Sequence, residues 1–112
     1  MRDSTWPVET VDYVFSANTA HIMSWPEVEL LFAGIARILR TRGRFCLYGP
    51  FNRDGRFTSE SNQAFDASLR ERDAKMGLRD DQALKALGRQ HGLVFTAEHG
   101  MPANNRLLLW TR

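Results

Sequence analysis

The chain has 112 residues, of which 43% are hydrophobic and 25% charged, a composition typical of one soluble domain spanning residues 1–112. Its 15 basic and 13 acidic residues leave a net charge of +2 without a block of like charges, which argues against a nucleic-acid partner. No apolar run approaches the roughly 20 residues of a membrane span, and the start lacks the apolar core of a signal peptide. With a single cysteine, Cys46, these features predict a cytoplasmic location.

The first predicted elements are a strand and a helix. Val11–Ala17 is a short run rich in β-branched and aromatic residues, as expected of a buried strand. Ser24 and Glu27 have capping-box spacing, so a helix should begin there. Apolar residues then recur every three or four positions, which predicts a buried helical face that ends at Gly43. These residues are Val28, Leu31, Phe32, Ile35, Ile38 and Leu39.

A second strand is predicted directly after this helix. Residues Arg44–Tyr48 are mostly apolar, and Gly49-Pro50 ends the run because proline cannot continue a central ladder. A strand, a helix and a strand over so short a stretch form a βαβ unit. Its two strands should therefore lie parallel, with a right-handed crossover.

The middle of the chain predicts a turn and a second helix. Asp54-Gly55 is a turn signal within a polar stretch. Either Thr58 or Ser59 can cap the helix that follows. In that helix Phe65 and Leu69 should share one face, while Asp66 and Arg70 have the spacing of an i,i+4 ion pair.

The last part predicts a third helix and a β-hairpin. Asp80-Asp81 should begin the helix and Gly92 should end it. Its inward residues are predicted to be Ala83, Leu84 and Leu87. Leu93–Glu98 and Arg106–Thr111 read as two strands whose short connection requires antiparallel pairing.

The resulting β-α-β-α-α-β-β order resembles the second half of the class I S-adenosylmethionine-dependent methyltransferase fold. Ala36–Leu39 followed by Gly43–Leu47 is similar to a signature of these enzymes, an arginine and aliphatic residues before a glycine and a strand. More specific segments resemble a family of uncharacterised methyltransferase-like proteins, a former domain of unknown function. They are residues 16–22 (SANTAHI), 48–51 (YGPF), 65–73 (FDASLRERD) and 101–105 (MPANN). Residues 3–7 (DSTWP) resemble the connection that follows the third strand in that family.

The resemblance implies an α/β, partial Rossmann-like sheet with strand order 4-5-7-6 and an antiparallel last strand. It makes the chain the C-terminal, acceptor-side half of a methyltransferase-like fold, with S-adenosylmethionine as the family's cofactor. The glycine-rich turn that holds this donor in the fold has no counterpart here, since the glycines are scattered. Two functions therefore stay open: half of a methyltransferase that is not catalytic alone, or a non-catalytic dimeric interaction module derived from one.

Candidate site residues follow the strands, because ligands of open α/β sheets bind beyond the carboxyl ends of the strands. Asn18 and His21 follow the first strand as candidate catalytic residues. Asn18 resembles an asparagine that orients nucleophiles in several methyltransferases, and His21 could be a general base. The alternatives are a conformational role for Asn18 and packing for His21.

Five further residues are candidates for binding the acceptor. Pro50, Phe51 and Arg53 follow the second strand, and the resemblance adds Asn104 and Asn105, although asparagine is also a common turn residue. The spacing of the three histidines and Cys46 predicts no zinc site.

The first strand also predicts a partner. In the complete fold it would pair with a strand that this chain does not supply. An apolar strand at a sheet edge is a template for pairing with another chain. We therefore expect a homodimer in which two copies of Val11–Ala17 pair in antiparallel fashion.

Overall fold

A computed structural model describes residues 10–112, and the side chain of Asn104 and the predicted motif at Asp3–Pro7 lie outside the described part. The strands are β1 (Val11–Ala17), β2 (Leu39–Gly49), β3 (Val94–Met101) and β4 (Asn105–Thr111). The helices are α1 (Trp25–Ile38), α2 (Glu60–Arg72) and α3 (Asp81–Gln90), and a 3₁₀ turn, Pro102–Asn104, joins β3 to β4. The predicted element order is confirmed.

The four strands form one mixed sheet in the order β1-β2-β4-β3. β1 and β2 are parallel, while β4 runs antiparallel to both of its neighbours, as predicted for the last strand. β3 therefore points the same way as β1 and β2. The carboxyl ends of these three strands and the β3–β4 turn consequently lie at one edge of the sheet, which we call the carboxyl edge.

The core lies between one face of the sheet and helices α1 and α3. Phe45 and Trp110 are cross-strand partners on that face, and Phe32 of α1 packs edge-on against both rings. Leu84 and Leu87 of α3 join the same cluster. Burial of this face against two helices is the main stabilising contribution, because apolar area removed from water drives folding.

The end of α1 corrects the sequence prediction. The helix stops at Ile38 rather than at Gly43, since Leu39 is extended and pairs with Val11. β2 is consequently longer than Arg44–Tyr48. Gly43 has a different role, because a Cβ there would lie 2.7 Å from the Arg40 carbonyl oxygen in the bulge that opens β2.

The other helices also differ from expectation in detail. Leu69 of α2 is buried, whereas Phe65 on the same face stays partly exposed. In α3 the residue Ala83 is exposed, because the buried stripe passes through Asp81, Leu84 and Gly88. Gly92 ends α3 with a φ of 79°, as predicted. None of the helices in residues 10–112 has the length and apolarity needed to span a bilayer.

Candidate functional site at the carboxyl edge

The first loop, residues 18–24, follows β1 and is hydrogen-bonded to the end of β2. The backbone N–H of Asn18 donates to the Tyr48 carbonyl oxygen at 2.9 Å. Asn18 itself is exposed and has a φ of 55°, a left-handed conformation that asparagine tolerates better than most residues. The conformational role is thus visible, and the side chain is exposed at the carboxyl edge.

His21 in the same loop is buried, with 7% of its surface exposed. Its ring packs edge-on against Phe65 of α2, and its carbonyl oxygen accepts a hydrogen bond from the Gly77 N–H. Burial, helped by the nearby positive charge of Arg79, lowers the pKa of His21 below its ordinary value. The imidazole is therefore neutral at pH 7 and could accept a proton, but its burial favours the packing role.

Arg79 holds this first loop in place. Its guanidinium donates to the carbonyl oxygens of Ala20 and Met23, and to that of Lys75 at 2.8 Å. It also lies over the Trp25 ring, 5.9 Å from the ring centroid. The sequence patterns did not indicate Arg79, because no local pattern shows that an arginine far along the chain closes the loop after β1.

The second loop, after β2, turns sharply at Asp54-Gly55. Both residues have positive φ angles, and Arg53 and Arg56 exchange two backbone hydrogen bonds of 2.9 Å across the turn. The predicted turn is therefore confirmed. Pro50 and Phe51 are buried beneath it, and Phe51 belongs to the hydrophobic core. Their predicted contact with an acceptor stays a prediction, and their burial favours a structural role.

A buried ion network anchors the second loop. The Arg106 guanidinium donates to Asp81 at 2.8 Å and to Glu98 at 2.8 and 3.0 Å, and Arg53 donates to the same Glu98 oxygen at 2.9 Å. Asp81 is 1% exposed and also accepts the Asp54 N–H. The network thereby joins the loop to α3 and to the β3–β4 hairpin.

Burial and pairing act in opposite directions on these carboxylates. Burial alone would raise the pKa of Asp81, but the hydrogen bond and the charge of Arg106, with the Asp54 N–H, outweigh it and lower that pKa. The pKa of Glu98 is lowered in the same way by Arg106 and Arg53. Both carboxylates are thus ionised and held by arginines at pH 7, which suits positioning rather than proton transfer.

The second loop also borders an open cleft of about 600 Å³. Its lining residues are Arg53, Asp54, Arg56, Phe57 and Thr58. Phe57 is 40% exposed, so the cleft offers an aromatic ring beside guanidinium groups. Of the predicted binding residues, Arg53 is the one that lines this cleft.

Asn105, in the β3–β4 hairpin, behaves as a turn former. The Asn105 side-chain amide donates to the Pro102 carbonyl oxygen at 3.1 Å, which stabilises its own turn. The sequence patterns did not indicate a role for Arg106, which directly follows Asn105, or for its partner Asp81. Two signals were available. Arg106 is a charged residue at the start of an apolar strand, and Asp81 is the second of two adjacent aspartates, so only one of the pair is needed as the helix cap.

Comparison with known proteins identifies the family. A family model described as a protein of unknown function, DUF938, matches residues 2–112. The chain belongs to the DUF938 family. The predicted methyltransferase-like fold is supported by solved structures, which resemble this DUF938 chain over most of its length.

An O-methyltransferase family 2 protein from Planctomyces limnophilus, solved with apigenin, has a TM-score of 0.84 at 14% identity, covering 95% of this chain and 32% of its own. An O-methyltransferase family protein from Burkholderia thailandensis has a TM-score of 0.80 at 17% identity, covering 96% and 32%. LepI in complex with SAM has a TM-score of 0.78 at 12% identity, covering 94% and 27%. At these identities the likeness shows the fold, and the chain spans about a third of the length of these proteins.

Proposed function

We propose that this DUF938 chain forms the acceptor-side portion of an S-adenosylmethionine-dependent methyltransferase. The observation that carries the proposal is the similarity of its fold to O-methyltransferases over 95% of the chain, together with candidate residues from both loops at one carboxyl edge. In this proposal β1, β2, β3 and β4 correspond to the fourth, fifth, sixth and seventh strands of the complete fold.

The described residues do not fit the methyl donor. Residues 18–24, which connect β1 to α1, contain no glycine whose backbone could approach a nucleoside closely. The N-terminus of α1 is closed by its own capping box, in which Ser24 and Glu27 satisfy each other's N–H groups. The donor site would therefore come from a polypeptide outside residues 10–112, and we assign no donor contact here.

Within this proposal Asn18 orients the nucleophile of a small-molecule acceptor by hydrogen bonding. His21 would accept the proton, for which its neutral state at pH 7 is suitable. The cleft beside Arg53 would hold the rest of the acceptor. The first loop thus performs the chemistry, and the second loop binds.

The test has two arms. Calorimetric titration of S-adenosylmethionine into the 112-residue chain should show no binding, and a low micromolar Kd would contradict the placement of the donor site elsewhere. In the second arm, the chain is fused to the donor-binding segment of a longer DUF938 protein. Transfer of a labelled methyl group from S-adenosylmethionine into a small-molecule extract is then measured.

Asn18→Gly is the informative variant for the second arm, because glycine keeps the left-handed backbone while removing the amide. We expect it to lower the transfer rate about a hundredfold, as for the loss of one catalytic hydrogen-bond donor. Arg72→Gln, at the exposed end of α2, is the control and should leave the rate unchanged. Equal rates for both variants would leave Asn18 with a conformational role only.

The second candidate function is a non-catalytic interaction module. It is favoured by the exposure of Tyr13 and Phe15 on the edge strand β1, large side chains that a monomer normally covers. A chain that associates with itself, and whose fusion transfers no methyl group, would support this candidate over the enzyme.

A further inference from the structure

α2 packs apart from the main core. Within residues 10–112, the core cluster is built from the sheet, α1, α3 and the loops, and it includes no residue of α2. Leu69 of α2 and Leu78, which follows α2, are buried outside that cluster. The other two buried residues of α2, Asn62 and Asp66, are polar. Burial of apolar area therefore contributes less to holding α2 in place than it does for α1 or α3.

The connection after α2, residues 73–78, folds back on the helix. The Asp66 carboxylate accepts the Leu78 N–H at 2.8 Å and a guanidinium N–H of Arg70 at 2.9 Å. Gly77 fits against this ion pair because it has no side chain, since a Cβ there would lie 2.6 Å from a guanidinium nitrogen of Arg70. α2 and residues 73–78 are thus joined to each other, and we call them the α2 unit.

The α2 unit contacts the first loop at His21. Phe65 packs edge-on against the His21 ring, with the two ring centroids 5.3 Å apart. The Gly77 N–H donates to the His21 carbonyl oxygen at 2.9 Å. The side chain and the backbone of one residue are therefore both held by the same unit.

The chain on either side of the α2 unit is anchored independently of it. Before the unit, the N–H groups of the Asp54-Gly55 turn are bound by carboxylates at the start of α3. After it, Arg79 donates to carbonyl oxygens of the first loop, and its own carbonyl oxygen accepts the Asn52 N–H at 2.9 Å. A movement of the unit therefore needs changes only between these anchors, in residues 56–78.

The His21 imidazole has no hydrogen bond to either ring nitrogen within the part of the chain that the structure describes. The residue is 7% exposed. Its nitrogens are nevertheless not among the fully buried unpartnered atoms of residues 10–112, which are Asn52 Oδ1 and Trp110 Nε1. Both nitrogens therefore reach solvent at the margin of the packed ring. Because buried polar groups normally have a hydrogen-bond partner, the partner of this imidazole would be water or a bound ligand.

We infer that the α2 unit is a lid over His21, in which the Phe65 ring controls access to the imidazole. The structure shows the lid closed. Opening separates Phe65 from the His21 ring and Gly77 from the His21 carbonyl oxygen, which uncovers the imidazole while Arg79 keeps the first loop in place. That the lid admits a methyl acceptor rests on the proposed function, whereas the movement itself does not.

Hydrogen exchange in the 112-residue chain tests the movement. A detached helix of 13 residues is marginal in water, so opening should unfold α2 and release its amides. We expect the interior amides of α2 to exchange at least about a hundredfold faster than those of α1 and α3.

Leu69→Ala removes the main apolar contact of the lid. It should accelerate exchange in α2 at least about another tenfold and leave α1 and α3 unchanged. Glu71→Ala, at an exposed position of the same helix, is the control and should leave exchange in α2 unchanged. Equal protection of the three helices in the unaltered chain, or equal acceleration of all three by Leu69→Ala, would overturn the lid.

Chemical modification tests the cover over His21. Diethyl pyrocarbonate acylates neutral imidazole nitrogens, and mass spectrometry resolves His21 from His91 and His99. Phe65→Ala should raise the modification rate of His21 relative to the exposed His99 about tenfold, because it removes the aromatic contact that closes the lid. Leu30→Ala, which removes an exposed apolar side chain from α1, is the control and should leave the ratio unchanged. An unchanged ratio in Phe65→Ala would refute the role of Phe65.

The failure of the lid and the failure of the proposed function give different results. If the fused protein transfers no methyl group while α2 exchanges separately and Phe65→Ala uncovers His21, the enzyme proposal fails and the lid stands. If α2 is as protected as α1 and α3, the lid fails whatever the fused protein transfers.

Discussion

Gly88 shows how one residue without a side chain can control the core. A Cβ at this position would lie 2.5 Å from Trp110 Nε1 and 2.7 Å from its Cδ1, atoms of the largest buried side chain. The indole therefore packs directly on the backbone of α3. No feature of the local sequence distinguishes this glycine from the others.

Gly88→Ala should destabilise the chain by about 1–3 kcal/mol, the usual cost of forcing extra volume into a packed core. Gly34→Ala in α1 is the matched control, because nothing lies within 4 Å of the added Cβ. It should instead stabilise the chain by roughly 0.5–1 kcal/mol through helix propensity. Urea unfolding measures both, and equal effects would contradict the packing argument.

His21 predicts a pH dependence. Its folded pKa lies below its ordinary value of 6.5, so on acidification the unfolded chain takes up a proton that the folded chain resists. The free energy of unfolding should fall as the pH drops from about 6.5 to 5, a range above the ordinary pKa values of carboxyl groups. This contribution is fully present above the unfolded pKa.

His21→Gln should remove that part of the pH slope, measured by denaturant unfolding at several pH values. His99→Gln, the same substitution at an exposed position, is the control for the substitution itself. If His21→Gln and the unaltered chain have the same slope, burial of this imidazole does not account for the acid sensitivity.

At the scale of elements, the ion network around Arg106 holds together parts of the chain that the hydrophobic core does not join. The core holds α1 and α3 to the sheet, whereas Arg106, Asp81 and Glu98 hold the second loop, α3 and the hairpin together at the carboxyl edge. The Asn52 backbone adds to this, since it accepts from the Asp81 N–H and donates to the Arg79 carbonyl oxygen, each at 2.9 Å. The cleft residues are thereby held on a fixed frame.

Arg106→Gln should cost about 3 kcal/mol, because it leaves the buried Asp81 carboxylate without its charged partner. Arg40→Gln removes the exposed pair with Asp12 and should cost less than about 1 kcal/mol. Hydrogen exchange should also accelerate in the second loop for Arg106→Gln alone. Adding Asp81→Asn to Arg106→Gln should recover part of the loss, and no recovery would argue that lost packing, rather than the orphaned charge, is responsible.

Local sequence patterns predicted some features of the elements correctly and others wrongly. The capping box at Ser24 and Glu27, the turn at Asp54-Gly55 and the stop at Gly92 were predicted correctly, since each is a local device whose residues satisfy nearby backbone groups. The end of α1 was wrong because Leu39 continues the helical periodicity and yet pairs with Val11, a residue far away in sequence. The prediction that Ala83 faces the core was wrong, because Asp81 is buried against Arg106 and α3 therefore turns the side that carries Asp81 inward.

At the scale of the whole molecule, the sheet has one covered and one open face. The helices bury Phe45, Leu47, Leu108 and Trp110, while the opposite face and the β1 edge remain accessible within the described part of the chain. Mixed α/β sheets generally have both faces covered. In the proposed function above, the polypeptide that supplies the donor site would pack on this open side of the DUF938 chain.

The amino-acid sequence by itself determined the order of the elements, the parallel and antiparallel pairings and the edge of the sheet at which the loops after β1 and β2 lie. These follow from periodicity, caps, turns and connection lengths, all of which act over a few residues. Only the tertiary structure decided that His21 is buried, that Asn18 is left-handed and exposed, and that Arg79 and Arg106 hold the two loops. Those outcomes depend on groups up to 59 residues apart in the chain, whose meeting is set by the packing of the whole sheet rather than by any local pattern.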